Sequence, residues 1–284
     1  MGAVEGELSA YKPWQVARIE RVLLDAKIPA PARAAINIAC WDWLAKRSGL
    51  PLYRLLGLEP VLPPTSVTLG INEPKVVEEE ARRLVEELRP QVVKVKLGAG
   101  DGAEADKERY LSALRALPDK VVLRVDANGG WTLSVAQEML EFLSQHRCEF
   151  VEQPLPVEAK EEMRVLFRGR PLPIVLDEPI WRSQDVGSWL DCCDGVNVKL
   201  MKCGGISEAL RIVHTAKAFG LRLMIGCFAE TSLSITAASA LGSLFDFIDL
   251  DSQLNLQADP FRGVEYKDGF LHLPEGVGIG VERV

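Results

Sequence analysis

The sequence predicts an α/β fold, a TIM-like parallel barrel of eight strands with seven intervening helices, a (β/α)7β pattern. Three observations predict it. Five short apolar segments each end on charge: VVKVKL with Lys94 and Lys96, VVLRVDAN with Asp126, CEFVEQP with Glu152, PIVLDEP with Asp177, and GVNVKLMK with Lys199 and Lys202. From Lys96 these residues are spaced by 30, 26, 25 and 22 positions, room for one strand and one crossover helix each. Finally, no glycine-rich phosphate turn follows the first strand, which argues against an open doubly wound sheet. The run Gly98-x-Gly100-x-Gly102 reads as a loop, since a lone glycine run is a weak nucleotide signal.

The elements follow in order. Residues 13–25 (PWQVARIERVLLD) and 31–47 (PARAAINIACWDWLAKR) have helical periodicity. In the second, Ala35, Ile38, Ala39, Trp41 and Leu44 make an apolar face, and Pro31 suits a first helical turn. PLYRLLG is a short helix stopped by Gly57, and Pro-rich residues 59–65 form a link. Strands are expected at 65–70, 92–97, 121–126, 149–152, 174–177, 196–199, 223–226 and 246–250. Helices are expected between them at 73–88, 103–117, 133–146, 158–168, 183–192, 205–219 and 231–242. Strand and helix thus alternate through the whole of 61–262.

Composition excludes several classes. The 284 residues are 48% hydrophobic and 26% charged with net charge -7, and no dense Lys/Arg run is present. Nucleic acid and anionic membrane surfaces are therefore poor partners. No apolar stretch is long enough to span a bilayer. The start, MGAVEGELSAYKPW, lacks a signal's basic region and apolar core, so a cytoplasmic location is expected. Six cysteines (Cys40, Cys148, Cys192, Cys193, Cys203, Cys227) show no C-x-x-C pair and read as reduced structural thiols. His146, His214 and His272 neighbour no motif carboxylate, which disfavours histidine catalysis.

Asp126, Glu152 and Asp177 end consecutive strands. Three such charges in one partly buried mouth repel unless a cation neutralises them. Hard oxygen donors without His or Cys select Mg²⁺ or Mn²⁺. A single strand-end acid more often caps a helix or pairs with an arginine; three in register with flanking lysines favour a metal. Lys96 and Lys199 flank the acids and face each other across the barrel. Lys94, on the same strand face as Lys96, and the cation are expected to lower the pKa of Lys96; Lys202 and the cation are expected to do so for Lys199. Simple charge balance is the competing reading of each lysine. A cation on a substrate carboxylate stabilises the enolate left when the α-proton departs. With a lysine on each face the outcome is racemisation or epimerisation; with one lysine moving protons it is β-elimination or cycloisomerisation.

The strings KVKLG, RVDANGGWT, FVEQPLP, VLDEPI, VNVKLMKCGGI, GCFAETSLSITAA and FIDLDSQL together resemble the enolase superfamily, in its muconate-lactonizing-enzyme subgroup. The resemblance implies Asp126, Glu152 and Asp177 as metal ligands and Lys96 and Lys199 as acid/base lysines. D-L-D at Asp249 and Asp251 is similar to the dipeptide epimerases, where paired acids engage the substrate's α-ammonium group. Two carboxylates two residues apart also point the same way from a strand, which suits an amine. Glu230 and Cys227 are expected to line the pocket, and Asn128 and Gln153 to donate hydrogen bonds around the ligands. The resemblance divides the chain into a truncated, mainly helical capping segment (1–60), the catalytic barrel (61–262) and a C-terminal return to the cap (263–284). The family's capping meander and its mobile loop come before the helices with which this chain starts. Implied is Mg²⁺-dependent epimerisation of a dipeptide such as Ala-Glu by an enzyme that assembles as dimers or larger. The alternatives are an o-succinylbenzoate synthase or cycloisomerase, and a cap-deficient protein that binds without turnover.

Overall fold

A computed structural model describes residues 6–284. Helices α1 (Val16–Asp25), α2 (Ala30–Ser48) and α3 (Leu52–Leu55) precede the sheet. Strands β1 (Ser66–Leu69), β2 (Val92–Lys96), β3 (Val122–Asp126), β4 (Cys148–Glu152), β5 (Ile174–Leu176), β6 (Gly195–Val198), β7 (Arg222–Gly226) and β8 (Phe247–Asp249) follow one another in a single sheet. All pairings are parallel. A parallel bridge from Thr65 to Ile248 brings the last strand back to the first. There the Thr65 hydroxyl accepts from the Leu250 amide at 2.9 Å.

The crossovers are α4 (Pro74–Leu88), α5 (Ala103–Ala116), α6 (Leu133–Ser144), α7 (Lys160–Gly169), α8 (Ser183–Ser188), α9 (Leu200–Cys203), α10 (Ile206–Ala218) and α11 (Ser232–Ser239). Every expected strand and crossover helix is present. The helix expected over 183–192 stops at Ser188, and the one over 231–242 spans only Ser232–Ser239. The extra α9 follows β6 at once and ends where Gly204 adopts a left-handed φ of 98°.

Strand alternation creates two cores. Val93, Val95, Leu123, Val125 and Val151 point outward and are fully buried under the helices, beside Ala81, Tyr110 and Leu140. Each large side chain buried there contributes about 1.5–3 kcal/mol. Phe150, Val175, Met224 and Phe247 point inward and form a separate cluster inside the barrel.

The helical segment is anchored to the barrel at one tight contact. Gly205, at φ 116°, lets α2 approach so closely that a Cβ there would lie 2.6 Å from Asn37. Asn37 Nδ2 and Trp41 Nε1 donate to the Ser207 hydroxyl at 2.8 and 2.9 Å. The buried face of α2 is therefore Ala34, Asn37, Ile38, Cys40 and Ala45; Ala35 and Ala39, expected inside, are exposed. The helix packs on α1 as well as on the barrel, so its apolar stripe is split between two partners. Trp14 is exposed and lies against Trp43, with ring centroids 5.7 Å apart.

The tail forms strands β9 (Phe261–Arg262), β10 (Glu265–Lys267), β11 (Phe270–His272) and β12 (Glu282–Arg283). These pair in twos, β10 with β11 and β12 with β9, as two small antiparallel ribbons. Gly278 then bridges Pro51, which ties the tail to the helical segment.

Candidate active site

Residues two apart on a strand share a face. Lys94 and Lys96, Asn197 and Lys199, and Asp249 and Asp251 thus enter the barrel in pairs, the second member of each pair nearer the mouth. Lys96 is paired in register with Asp126, and Asp126 with Glu152. Asp177 lies just past β5. Strands β2 and β6 are four apart in a ring of eight, so Lys96 and Lys199 approach the mouth from opposite sides. Gly98 and Gly130 hold the β2 and β3 loops in contact: a Cβ on Gly130 would lie 2.1 Å from the Gly98 carbonyl oxygen.

The Lys96 ammonium donates to Asp126 Oδ2 at 2.7 Å and Asn128 Oδ1 at 2.8 Å. Lys199 donates to Asp177 Oδ2 at 2.7 Å, and Lys202 to the other oxygen of the same carboxylate. Lys94 pairs with Asp249 and lies 3.5 Å from Glu152 Oε2 and 3.7 Å from Asp126 Oδ2. Asn197 Nδ2 donates to Glu152 Oε1 at 2.6 Å.

Among the described residues, no three acidic, His or Cys side chains converge on one point as a bound ion requires. The lysines instead hold the carboxylates apart. The donor set nevertheless fits a divalent cation. Four ammoniums (Lys94, Lys96, Lys199, Lys202) face six carboxylates (Asp126, Glu152, Asp177, Glu178, Asp249, Asp251), an excess of two negative charges. Glu152 is fully buried, and its Oε2 accepts no hydrogen bond. Burial, reinforced by Asp126, pushes its carboxyl up to about 7. Burial and then Asp177 raise Glu178, and burial and then Asp249 raise Asp251. For Asp177 burial acts upward, but Lys202 and Lys199 outweigh it and move the carboxyl down, to about 2.

Without a cation, Lys199 lies above the usual ammonium range: burial acts downward, but Asp177 and Glu152 outweigh it and raise the group. Lys94 is likewise raised, burial being overcome by Asp249, Glu152 and Asp126. Lys202 is lowered, by burial. Without a cation the acids hold the protons on their neighbours.

Several expected neighbours are placed differently. Glu230 accepts from the Phe228 amide in its own loop and from the Ser234 hydroxyl in α11, and it is not among the residues lining the cavity between Lys96 and Lys199. Asp249 is divided: Oδ2 goes to Lys94 while the buried Oδ1 accepts no bond. Asp251 Oδ2 accepts from the Thr68 amide at 2.7 Å. Gln153 was expected to donate to a ligand; its Oε1 instead accepts from the Asp177 and Glu178 amides at 3.1 and 3.2 Å. Asn128 does donate to a ligand, its backbone N–H reaching Asp126 Oδ1 at 2.9 Å, while its side chain accepts from Lys96 and donates to Glu178. Cys227 lines the cavity, as expected.

That cavity, about 530 Å³, opens between Lys96 and Lys199. Its walls add three residues not anticipated from sequence: Glu178, Trp181 and Phe228. A separate cleft of about 320 Å³ between α1 and α8 contains none of the strand-end residues.

Comparison with known proteins agrees with this geometry. Residues 76–283 match the family described as enolase C-terminal domain-like, and residues 14–57 match the mandelate racemase / muconate lactonizing enzyme N-terminal domain. The chain is 46% identical over 273 residues to a hydrophobic dipeptide epimerase of Roseobacter litoralis, covering 96% of this chain and 77% of that one. The dipeptide epimerase of Cytophaga hutchinsonii, solved with Mg and D-Ala-L-Val, superposes with a TM-score of 0.90 at 30% identity, covering 96% and 76% of the two chains. The dipeptide epimerase of Enterococcus faecalis, solved with Mg and L-Leu-L-Tyr, gives 0.89 at 35% identity, covering 95% and 78%. The chain belongs to the enolase superfamily, in its mandelate racemase / muconate lactonizing enzyme branch.

Proposed function

We propose that this protein is a Mg²⁺-dependent epimerase that inverts the α-carbon of a dipeptide's C-terminal residue. The observation that carries this reading is the placement of two lysines on opposite sides of one buried acid cluster. A lysine on each face suits inversion, in which both move a proton, whereas a lyase moves protons with one of them. The similarity to dipeptide epimerases supports the substrate class.

Asp126, Glu152 and Asp177 would hold the cation. Bound there, Mg²⁺ supplies Lewis-acid stabilisation of the carbanion and takes up the carboxylate charge that otherwise keeps Lys199 protonated. Lys96 removes the α-proton from one face, and Lys199 delivers a proton to the other; the reverse reaction exchanges their roles. Asn128 orients the Lys96 ammonium, and Asn197 fixes Glu152. Lys94 and Lys202 offset acid charge: each has 3% of its surface exposed, and of the two only Lys202 lines the cavity. Asp251, with the open oxygen of Asp249, receives the substrate's α-ammonium group.

Proton NMR of a dipeptide panel in D₂O with Mg²⁺ tests the proposal. Deuterium enters the C-terminal α-position and the epimer accumulates, and chelation stops both. Turnover of a cyclohexadiene carboxylate with no wash-in from any dipeptide would establish the cycloisomerase-type reading instead.

A further inference from the structure

Trp181 and Phe228 are two large aromatic side chains, 50% and 49% exposed, on the wall of a cavity otherwise lined mainly by charge. Apolar surface of that size left in a functional cleft marks a place for an apolar group. Both residues are fixed rather than loose. The Trp181 indole N–H donates to the Glu178 carbonyl at 2.8 Å, and its backbone N–H to Asp185 Oδ2 at 3.0 Å. The Phe228 backbone N–H donates to Glu230 Oε1 at 2.8 Å, and its ring lies 4.8 Å from the Lys199 ammonium.

Their places in the ring matter more than their exposure. Trp181 follows β5 and Phe228 follows β7, so they flank β6, the strand that presents Lys199. The cavity wall on the Lys96 side is polar, with Asn128. The apolar surface therefore covers one face of the reaction plane only. Inversion at an α-carbon whose carboxylate and amide nitrogen stay fixed must carry the side chain across that plane. When the α-hydrogen faces Lys96, the side chain leans toward Lys199, between the two rings. After inversion it leans away from them.

From this asymmetry, and resting on the epimerase reading above, we infer that Trp181 and Phe228 form a one-sided apolar slot. It takes the side chain of the residue being inverted, in the configuration whose α-hydrogen faces Lys96. The substrate class is then a dipeptide with an apolar or aromatic C-terminal residue, and its two epimers bind unequally.

Deuterium exchange and epimerisation kinetics on L-Ala-Phe, in both configurations of Phe, and on L-Ala-Gly test this. Glycine has α-hydrogens but no side chain, so Ala-Gly exchange reports the proton-transfer machinery without the slot. Trp181→Ala is expected to lower the Ala-Phe to Ala-Gly rate ratio roughly 10- to 100-fold, the range that apolar pocket contacts command. The rise in KM falls on one epimer of Ala-Phe. That epimer is the one that still exchanges its α-hydrogen in Lys199→Ala, where Lys96 is the remaining base. The solution equilibrium fixes the ratio of kcat/KM in the two directions, so it stays constant and checks the data. An unchanged Ala-Phe to Ala-Gly ratio in both Trp181→Ala and Phe228→Ala overturns the slot. So does a KM rise on the opposite epimer. Absence of exchange with every dipeptide, Ala-Gly included, would instead overturn the epimerase reading itself.

Discussion

The interior of this barrel holds two charged regions a few residues apart along the same strands, and they are built on opposite principles. In the middle, Arg124 is buried with its charge fully met. Its Nε donates to Glu149 at 2.8 Å and its Nη1 to the Ser66 hydroxyl at 3.0 Å, while the guanidinium lies over the Phe247 and Phe150 rings at 4.8 and 5.2 Å. At the mouth, two residues further along β3, Asp126 joins a cluster with surplus negative charge and acceptor atoms left without donors. A buried charge that is matched stiffens a core; one left unmatched costs stability and persists where a ligand completes it. The plug thus reads as architecture and the mouth as chemistry.

Substitutions sharpen this contrast. Lys94→Met should be the most damaging, because it strands Asp249, Glu152 and Asp126 in a buried site without their shared cation. A loss of about 3–5 kcal/mol in metal-free unfolding measurements is expected. Arg124→Met should cost about 2 kcal/mol, less because Glu149 is one-third exposed and can rehydrate. Folded Arg124→Met should still exchange substrate protons, since the plug touches no reacting atom.

Glu152→Gln is expected to act with the opposite sign. The Glu152 carboxyl is raised to about 7 in the fold, above the value of about 4.3 for an unfolded chain. With chelator present, the Glu152 contribution to stability is therefore full below pH ~4 and is lost as pH rises through about 7. Glu152→Gln removes that loss, a gain on the order of 1–3 kcal/mol at neutral pH, visible as a higher melting temperature. Added Mg²⁺ should then stabilise the wild type and leave Glu152→Gln nearly unmoved. A metal-free variant less stable than the wild type at pH 8 would show that the mouth carries no surplus charge.

Much of this was legible in the chain because strands write their orientation in steps of two. Lys94/Lys96 and the acids at 126, 152 and 177 ended expected strands, and the structure places all of them inward. Asn197 carried the same signal, two residues before Lys199, and was readable by that rule alone. Trp181 and Phe228 were not, because they belong to loops whose direction no periodicity sets. The place of Glu230 was hidden for the same reason: its carboxylate accepts from the Phe228 amide and from Ser234 at the start of α11. The sign of the Lys199 shift was hidden too, since it depends on which neighbour outweighs which at 2.7 Å, and spacing cannot report that.

The two-sided placement of Lys96 and Lys199 is tested most directly by following α-hydrogen exchange in D₂O for both epimers of one dipeptide in Lys96→Ala and in Lys199→Ala. Each variant should lose inversion by a factor of about 10²–10⁴ yet keep exchange for one epimer, and the surviving epimer should differ between the two. Retention of the same epimer by both variants, or inversion at the wild-type rate in either, would contradict the account.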